Sequence, residues 1–236
     1  MKPAKTATKQ SSGIRTQLLE TACNLFAEKG FRHATVAEIC WRAGANTAAV
    51  NYYFHDKKTL YIEAWRLAFH RSLKAHPPDG GIPSNASAQE RLAGHVLSLM
   101  QRIIDSENRA FDIVHKELAN PTGLLAEVMR ECIGPAQCSL ASIVRELLGP
   151  KASNQQVQLC QMSILAQCFH PMMWERHCKL FTAGTKGGPL PLDVRVEVIA
   201  EHIVSFSLAG IRETRRRIES PAQAEQTRPR AKTHEL

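Results

Sequence analysis

The sequence lacks both the motifs of the common enzyme classes and any long apolar run. It contains no GxSxG, GxGxxG or HExxH motif and no Walker loop, so we expect neither enzymatic activity nor a cofactor. Nowhere do about 18 apolar residues follow one another, and residues 1–13 are polar and basic, unlike the apolar core of a secretory signal. We therefore expect a soluble, cytoplasmic protein with no membrane partner.

The sequence also lacks a cysteine framework. Its seven cysteines are odd in number and no two of them have the CxxC spacing, so we expect reduced thiols. A cysteine redox sensor stays an alternative, although nothing adjacent in sequence marks a reactive thiolate. The cysteines are Cys23, Cys40, Cys132, Cys138, Cys160, Cys168 and Cys178.

One segment gathers several metal-ligating residue types. His170, His177, Cys168, Cys178 and Glu175 lie close together in sequence. No pair among them has the short Cys or His spacing of a zinc module, so we expect core or interface residues there and no metal site. Metal sensing is kept as an alternative.

Positive charge is concentrated in the first third of the chain. A length of 236 residues fits about two domains. Residues 1–76 hold twelve Lys and Arg against five Asp and Glu, whereas the remainder holds eighteen against seventeen. This asymmetry is expected when one domain meets phosphate and the other does not.

The basic segment contains the pattern of a helix-turn-helix. Residues 35–38, with the letters TVAE, form a capping box, which marks the start of a short helix. That helix ends at Gly44, and Asn46 is placed to cap the next one. Two short capped helices joined by a turn with glycine are typical of this unit, whose second helix enters the major groove. Here the second helix is predicted over residues 47–53.

These residues resemble the signature of TetR-type regulators, and the resemblance covers residues 12–62. Asn51 stands where many members have Tyr, and Tyr53 replaces the usual His. The resemblance implies an all-α homodimer that binds a palindromic DNA operator. The matching positions are Ile14, Leu18, Ala22, Phe26, Gly30, Phe31, Thr35, Ile39, Gly44, Asn46, Val50, Tyr52, Phe54, Lys57 and Leu60.

The predicted DNA contacts follow from the geometry of a recognition helix. Side chains at its amino end reach base edges, while neighbouring hydroxyls, amides and cations bind phosphate. Asn51 can pair with adenine through two hydrogen bonds, and Ala48 can contact a thymine methyl group. The candidates for bases are Thr47, Ala48 and Asn51, with Arg42 for guanine or phosphate; those for phosphate are Thr35, Asn46, Tyr52, Tyr53 and Lys57.

Helical patterns continue to near the end of the chain. Pro135 and Pro171 fall inside two of the predicted helices and should kink or interrupt them. The predicted helices cover residues 12–29, 35–43, 47–53, 56–75, 87–103, 110–119, 123–148, 153–180 and 194–217. The predicted organisation is a flexible basic arm (1–11), a DNA-binding domain with its connector helix (12–76), a linker (77–88), an effector and dimerisation domain (89–218) and a disordered tail (219–236).

The second domain resembles the subgroup of TetR-type regulators typified by CecR. The resemblance rests on Glu117-Leu118-Ala119-Asn120-Pro121, followed by a helix with a proline at Pro135. It implies a helical domain that dimerises through its last two long helices and holds a pocket for an organic effector. The proline break near an apolar Met and aromatic segment suggests where this pocket lies. The candidate residues are Phe111, His115, Met129, Met162, Phe169, His170, Met173 and Trp174.

Together these patterns predict an all-α, two-domain homodimer that represses transcription and releases its operator when a small organic effector binds. Release would be a population shift, transmitted through the connector helix to the two DNA-binding heads. Two alternatives remain: a redox- or metal-sensing regulator, and a dimerising DNA-binding protein without an effector.

Overall fold

The computed structural model describes the backbone of residues 5–182 and 194–220, and the side chains of residues 13–171 and 194–220. All secondary structure in these ranges is helical, which confirms the predicted all-α class. The helices are α1 (Lys5–His33), α2 (Val36–Arg42), α3 (Thr47–Phe54), α4 (Lys57–Ala75), α5 (Ala88–Ile104), α6 (Arg109–Ala119), α7 (Ala126–Leu148), α8 (Asn154–Thr182) and α9 (Val196–Glu219).

Capping side chains fix where several of these helices begin. The Thr35 hydroxyl accepts a hydrogen bond from the Glu38 amide at 3.1 Å at the start of α2. Asp56 accepts one from the Thr59 amide at 2.7 Å at the start of α4. Such caps satisfy amides that have no partner inside the helix. The predicted starts of these two helices are confirmed.

The first helix is longer than predicted at its amino end and breaks where predicted. Its backbone is helical from Lys5, so residues 5–11 extend α1 where a flexible arm was expected. Adding residues to an existing helix requires no new nucleation, and lysine and alanine are good helix formers. At Gly30 the backbone leaves the helix, with φ 74° and ψ 174°, a conformation essentially confined to glycine.

The two internal prolines do not interrupt their helices. A kink or an interruption was predicted; α7 runs through Pro135 and α8 runs through Pro171, so neither helix is interrupted. A proline removes one backbone hydrogen bond from a helix, and tertiary packing of the flanking turns offsets that loss. α8 packs along α9.

The chain divides into two compact units that are not contiguous in sequence. The first unit comprises Met1–Pro77 and Arg102–Pro135, and the second comprises Pro78–Gln101 and Ala136–Leu236. The predicted effector domain placed all of residues 89–218 together, whereas α6 packs against α1 and α4 in the first unit. This packing depends on long-range apolar contacts that no local pattern reveals.

The first unit has an aromatic core at the centre of the α1 to α4 bundle. Phe26, Phe54, Tyr61 and Trp65 are each at most 1% exposed. Burying one such side chain contributes about 1.5–3 kcal/mol relative to leaving it in water. α6 and the start of α7 add Ala110, Ile113, Leu125 and Val128 to the same cluster.

The second unit contains a close contact between α5 and the turn that precedes it. Ser87 and Glu90 form a capping box at the predicted start of this helix: the Ser87 amide donates to the Glu90 carboxylate at 2.9 Å and the Glu90 amide donates to the Ser87 hydroxyl at 3.3 Å. One turn further along α5, a methyl group built on Gly94 would lie 2.5 Å from Ile82 Cγ1 and 2.6 Å from the Asp79 carbonyl oxygen. Only glycine lets this turn pack so closely on α5.

Candidate nucleic-acid interface

The orientation of α3 is set by what it buries. Val50 and Phe54 are at most 1% exposed and pack into the core of the first unit. α2 supplies the surface beneath them with its own buried residues, Ile39 and Cys40. Because one side of α3 is buried in this way, its opposite side faces solvent.

The solvent-facing side of α3 carries the predicted base contacts. Thr47, Ala48 and Asn51 are all exposed. The Asn46 side-chain oxygen accepts hydrogen bonds from the Ala48 amide at 3.0 Å and the Thr47 hydroxyl at 3.3 Å, so it caps α3. The first turn of α3 therefore presents short polar and apolar side chains from a fixed backbone.

Two tyrosines of α3 occupy different environments. Tyr52 is 76% exposed, whereas Tyr53 is half-buried and packs against the core of the first unit. Their rings meet edge to face with centroids 4.8 Å apart. The exposed Tyr52 side chain is available to a phosphate, and the ring of Tyr53 packs against it.

Arg42 is held by two acidic residues. Its guanidinium lies 3.0 Å from a Glu28 carboxylate oxygen and 2.9 Å from one of Glu38. The hydrogen bond that Arg42 donates to Glu28, followed by the nearby negative charges, raises the pKa of Arg42. A contact between Arg42 and a guanine or a phosphate would therefore compete with these ion pairs.

Glu38 differs from its predicted role in the capping box. We expected its side chain to bond back to the start of α2, but its carboxylate instead pairs with Lys29 at 2.7 Å and with Arg42. The hydrogen bond from Lys29 is the main cause of the lowered pKa of Glu38. The nearby cations on α1 and α2 attract this carboxylate more strongly than a single backbone amide does.

Lys57 lies at the first turn of α4 and its ammonium sits over an aromatic ring. The Lys57 nitrogen is 4.4 Å from the centroid of the Phe31 ring. Burial lowers the pKa of Lys57. The positive end of the α4 dipole and this ammonium lie together, which is a favourable position for an anion.

Two exposed residues, each next in sequence to a predicted DNA contact, were not among the candidates from the sequence. Trp41 on α2 is 80% exposed, and Lys58 is exposed beside Lys57. Helical spacing could have predicted that Trp41 is exposed, because it lies one turn after Ala37, on the side of α2 opposite the buried Ile39. Lys58 could have been found as a second cation in the first turn of α4.

The predicted effector residues are divided between the two units. Phe111 and His115 lie on α6 and Met129 on α7 in the first unit, and all three are partly buried. Met162, Phe169 and His170 lie on α8 in the second unit, as do Met173 and Trp174, whose side chains are outside the described residues.

Met162 is 60% exposed, because it points away from the buried Ile164 and Cys168 of the same helix. The second unit also has an open groove of about 390 Å³ between α5 and α9, where Leu97, Val204 and Leu208 are among the lining residues.

Several of the described thiols are buried and protonated. Burial raises the pKa of Cys23 to about 11 and that of Cys168 to about 12. It also raises the pKa of Cys40 and Cys160. Since the thiolate is the reactive form, these four side chains lack the environment of a redox sensor. The described side chains include no cluster of three metal-ligating groups; those of His177, Cys178 and Glu175 are outside that range.

Two family models match the two parts of the chain. Residues 18–64 match the model of bacterial regulatory proteins of the tetR family. Residues 88–211, more than half of the chain, match the C-terminal domain of the HTH-type transcriptional dual regulator CecR. The chain therefore belongs to the TetR family of DNA-binding transcriptional regulators and has a CecR-like C-terminal domain.

Individual relatives of the chain are also HTH-type transcriptional regulators. The HTH-type transcriptional repressor KstR2 of Rhodococcus jostii RHA1 is 38% identical over 64 residues, which are 27% of this chain and 31% of that protein, so the match spans about a third of this relative. The dual regulator CecR of Shigella flexneri is 24% identical over 165 residues, 65% of this chain and 73% of that protein.

A solved structure shares the fold. AibR, whose structure is described as a complex with isovaleryl coenzyme A and operator DNA, matches with a TM-score of 0.60 and 16% identity over 82% of this chain and 97% of its own. No helix in the described residues has the length and apolar character needed to cross a membrane.

Proposed function

We propose that this protein is a ligand-responsive repressor that binds a palindromic operator as a homodimer and is released by a small organic effector. The observation that carries the proposal is the solvent-facing side of α3, with Thr47, Ala48 and Asn51 on a helix whose other side is buried. An exposed helix face with a fixed backbone fits the major groove.

A second copy of the chain is proposed to cover the exposed apolar side chains of α8 and α9. Leu159 and Met162 are one turn apart on α8, and Val198 and Phe206 are two turns apart on α9. A surface of large apolar side chains on two adjacent helices is typical of an interface. A twofold axis would pair these helices into a four-helix bundle.

The effector is proposed to be a small organic molecule. Support comes from AibR, whose fold this chain shares and whose structure holds isovaleryl coenzyme A. The predicted residues give two candidate sets, Phe111 with His115 and Met129 in the first unit, and Phe169 with His170 in the second. An effector releases DNA only if it binds better to the arrangement of heads that fits the operator poorly.

The proposal is tested by selecting bound sequences from a random duplex pool with the purified full chain. We expect an inverted repeat bound by an even number of protomers. Selection of no common sequence, with binding that only falls as salt rises, would overturn sequence-specific recognition.

Two asparagine variants then test whether the exposed side of α3 contacts bases. Asn51→Ala should weaken binding to the selected site by about 1–3 kcal/mol, the discrimination of one bidentate base contact. The matched control is Asn85→Ala, at an exposed asparagine in the second unit, which should bind as the wild type does. Equal affinities for the two variants, measured by fluorescence anisotropy, would contradict the assignment of Asn51.

A further inference from the structure

Tyr61 of α4 links the core of the first unit to the end of α6. Its ring lies between Phe26, at a centroid distance of 4.8 Å, and Phe31, at 5.1 Å. Its hydroxyl donates a hydrogen bond to Glu117 Oε2 at 3.0 Å. Burial, and then the charge of Glu117, raise the pKa of Tyr61, so the hydroxyl stays protonated and keeps donating.

The Glu117 carboxylate is itself fixed by the turn between α6 and α7. Glu117 Oε1 accepts hydrogen bonds from the Thr122 amide at 2.8 Å and the Gly123 amide at 2.9 Å. The Thr122 hydroxyl donates to Oε1 at 2.8 Å. With Tyr61 as a further donor, this charged group is bound from two elements, and hydrogen bonds to an ionised acceptor are the stronger kind.

Phe31 extends this network to the DNA-binding face. It follows the break at Gly30, where a built methyl group would lie 3.4 Å from Lys116 Cβ, so the end of α1 rests on α6 beside Glu117. Phe31 meets Tyr61 as described, and the Lys57 ammonium lies over its ring. The two aromatic rings therefore connect the Glu117 carboxylate to the Lys57 ammonium.

We infer that Glu117 is a positioning residue for DNA binding, which acts through Tyr61 and Phe31 to hold the Lys57 ammonium at the start of α4. A lysine side chain in solution samples many rotamers, and holding it over a ring removes part of the ordering cost when it meets a phosphate. The inference rests on the proposed function, because it takes Lys57 as a phosphate contact. The inference gives residues 117–121, the Glu-Leu-x-x-Pro segment, a role in operator affinity.

The test is a double-mutant cycle on operator affinity. Tyr61→Phe and Glu117→Gln are each made in the wild type, in Lys57→Met and in Lys58→Met. Each should weaken binding at least roughly twofold in the wild type and in Lys58→Met, which is the lower end of coupling between contacting residues. Neither should weaken it further in Lys57→Met, where the positioned group is absent. Equal losses in both lysine backgrounds would overturn the inference.

Glu131→Gln is the matched control variant. Glu131 also joins α4 to α7, through an ion pair with Arg66 at 3.5 Å, and its partner Arg66 is not one of the ring residues described above. It should leave operator affinity unchanged in every background. Urea unfolding of each variant separates positioning from loss of the fold, and Glu117→Gln carries the test if Tyr61→Phe fails to fold.

A second readout needs no DNA. In protein labelled with ¹³C at lysine, the Lys57 ε-methylene protons should resonate upfield, because the nitrogen bonded to that methylene lies over the Phe31 ring, and Lys57→Met assigns the signal. Tyr61→Phe and Glu117→Gln should move this signal towards its random-coil position, while Glu131→Gln should not. An unmoved signal overturns the inference even if operator binding is intact. A moved signal without any operator binding supports the positioning and overturns the proposed function.

Discussion

The exposed surfaces of α3 and of α8 with α9 differ in chemical character. α3 presents Thr47, Ala48 and Asn51 from a capped first turn. α8 and α9 present large apolar side chains, among them Met162 at 60% and Phe206 at 64% exposed. A polar face can remain in water and exchange it for base edges, whereas an apolar face of this size favours a permanent cover. The two surfaces thus fit the two proposed partners, DNA as a transient one and a second copy of the chain as a stable one.

The largest expected effect comes from placing a charge on the apolar surface. Phe206→Glu should convert the proposed dimer to monomers and lower operator affinity by at least about 2 kcal/mol, the threshold of an interface hot spot. The readouts are sedimentation velocity and anisotropy. Leu118→Glu, on an apolar residue of α6 that is 75% exposed, is the control and should remain dimeric. A dimeric Phe206→Glu would show that this surface is not the interface.

A second effect tests the close packing of the second unit. Gly94→Ala should lower the free energy of unfolding by about 1–3 kcal/mol, because its methyl group overpacks against Ile82 and the Asp79 carbonyl. The control is Gly134→Ala, in α7, where a methyl group meets nothing within 4 Å. That variant should gain about 0.5–1 kcal/mol from helix propensity. Urea denaturation checks both, and a neutral Gly94→Ala would contradict the packing described.

A third effect is a pH dependence of stability that arises from a buried thiol in the first unit. The pKa of Cys23 is raised from 9.0 to about 11, so the unfolded chain releases this proton first and stability falls as the pH rises from 9 to 11. The slope from one thiol reaches at most about 1.4 kcal/mol per pH unit. Cys23→Ala should flatten the measured stability curve over this range. Cys138→Ala, at an exposed thiol, is the control.

The smallest effect compares two caps with the same chemistry. Thr35→Ala and Ser87→Ala should each lower the free energy of unfolding by about 1 kcal/mol through loss of a helix cap. Only Thr35→Ala should also weaken operator binding, since Thr35 is a proposed phosphate contact and Ser87 lies in the second unit. If both variants bind the operator equally well, Thr35 acts as a cap alone.

Local chemistry explains how much of this fold the sequence predicts. Thr35, Asn46, Asp56 and Ser87 cap their own helices, so a reader of the sequence can place those starts closely. Apolar spacing likewise predicts that Val50 and Phe54 are buried.

What the sequence could not predict depends on distant partners. The choice of Glu38 to pair with Lys29, and of Arg42 to pair with Glu28, requires α1 and α2 to be already packed together. The assignment of α6 to the first unit and the exposure of Met162 likewise follow from tertiary packing. No pattern within one helix contains that information.

The division of the chain has a consequence for building hybrid regulators. The polypeptide changes units after Pro77, after Gln101 and after Pro135. A fusion that joined residues 1–77 to a foreign sensor would remove Ile113 and Leu125, which are fully buried in the core of the first unit, and would remove Glu117 from Tyr61. The first unit of this regulator therefore consists of two separate chain segments, and a hybrid joined at a single junction would lack one of them.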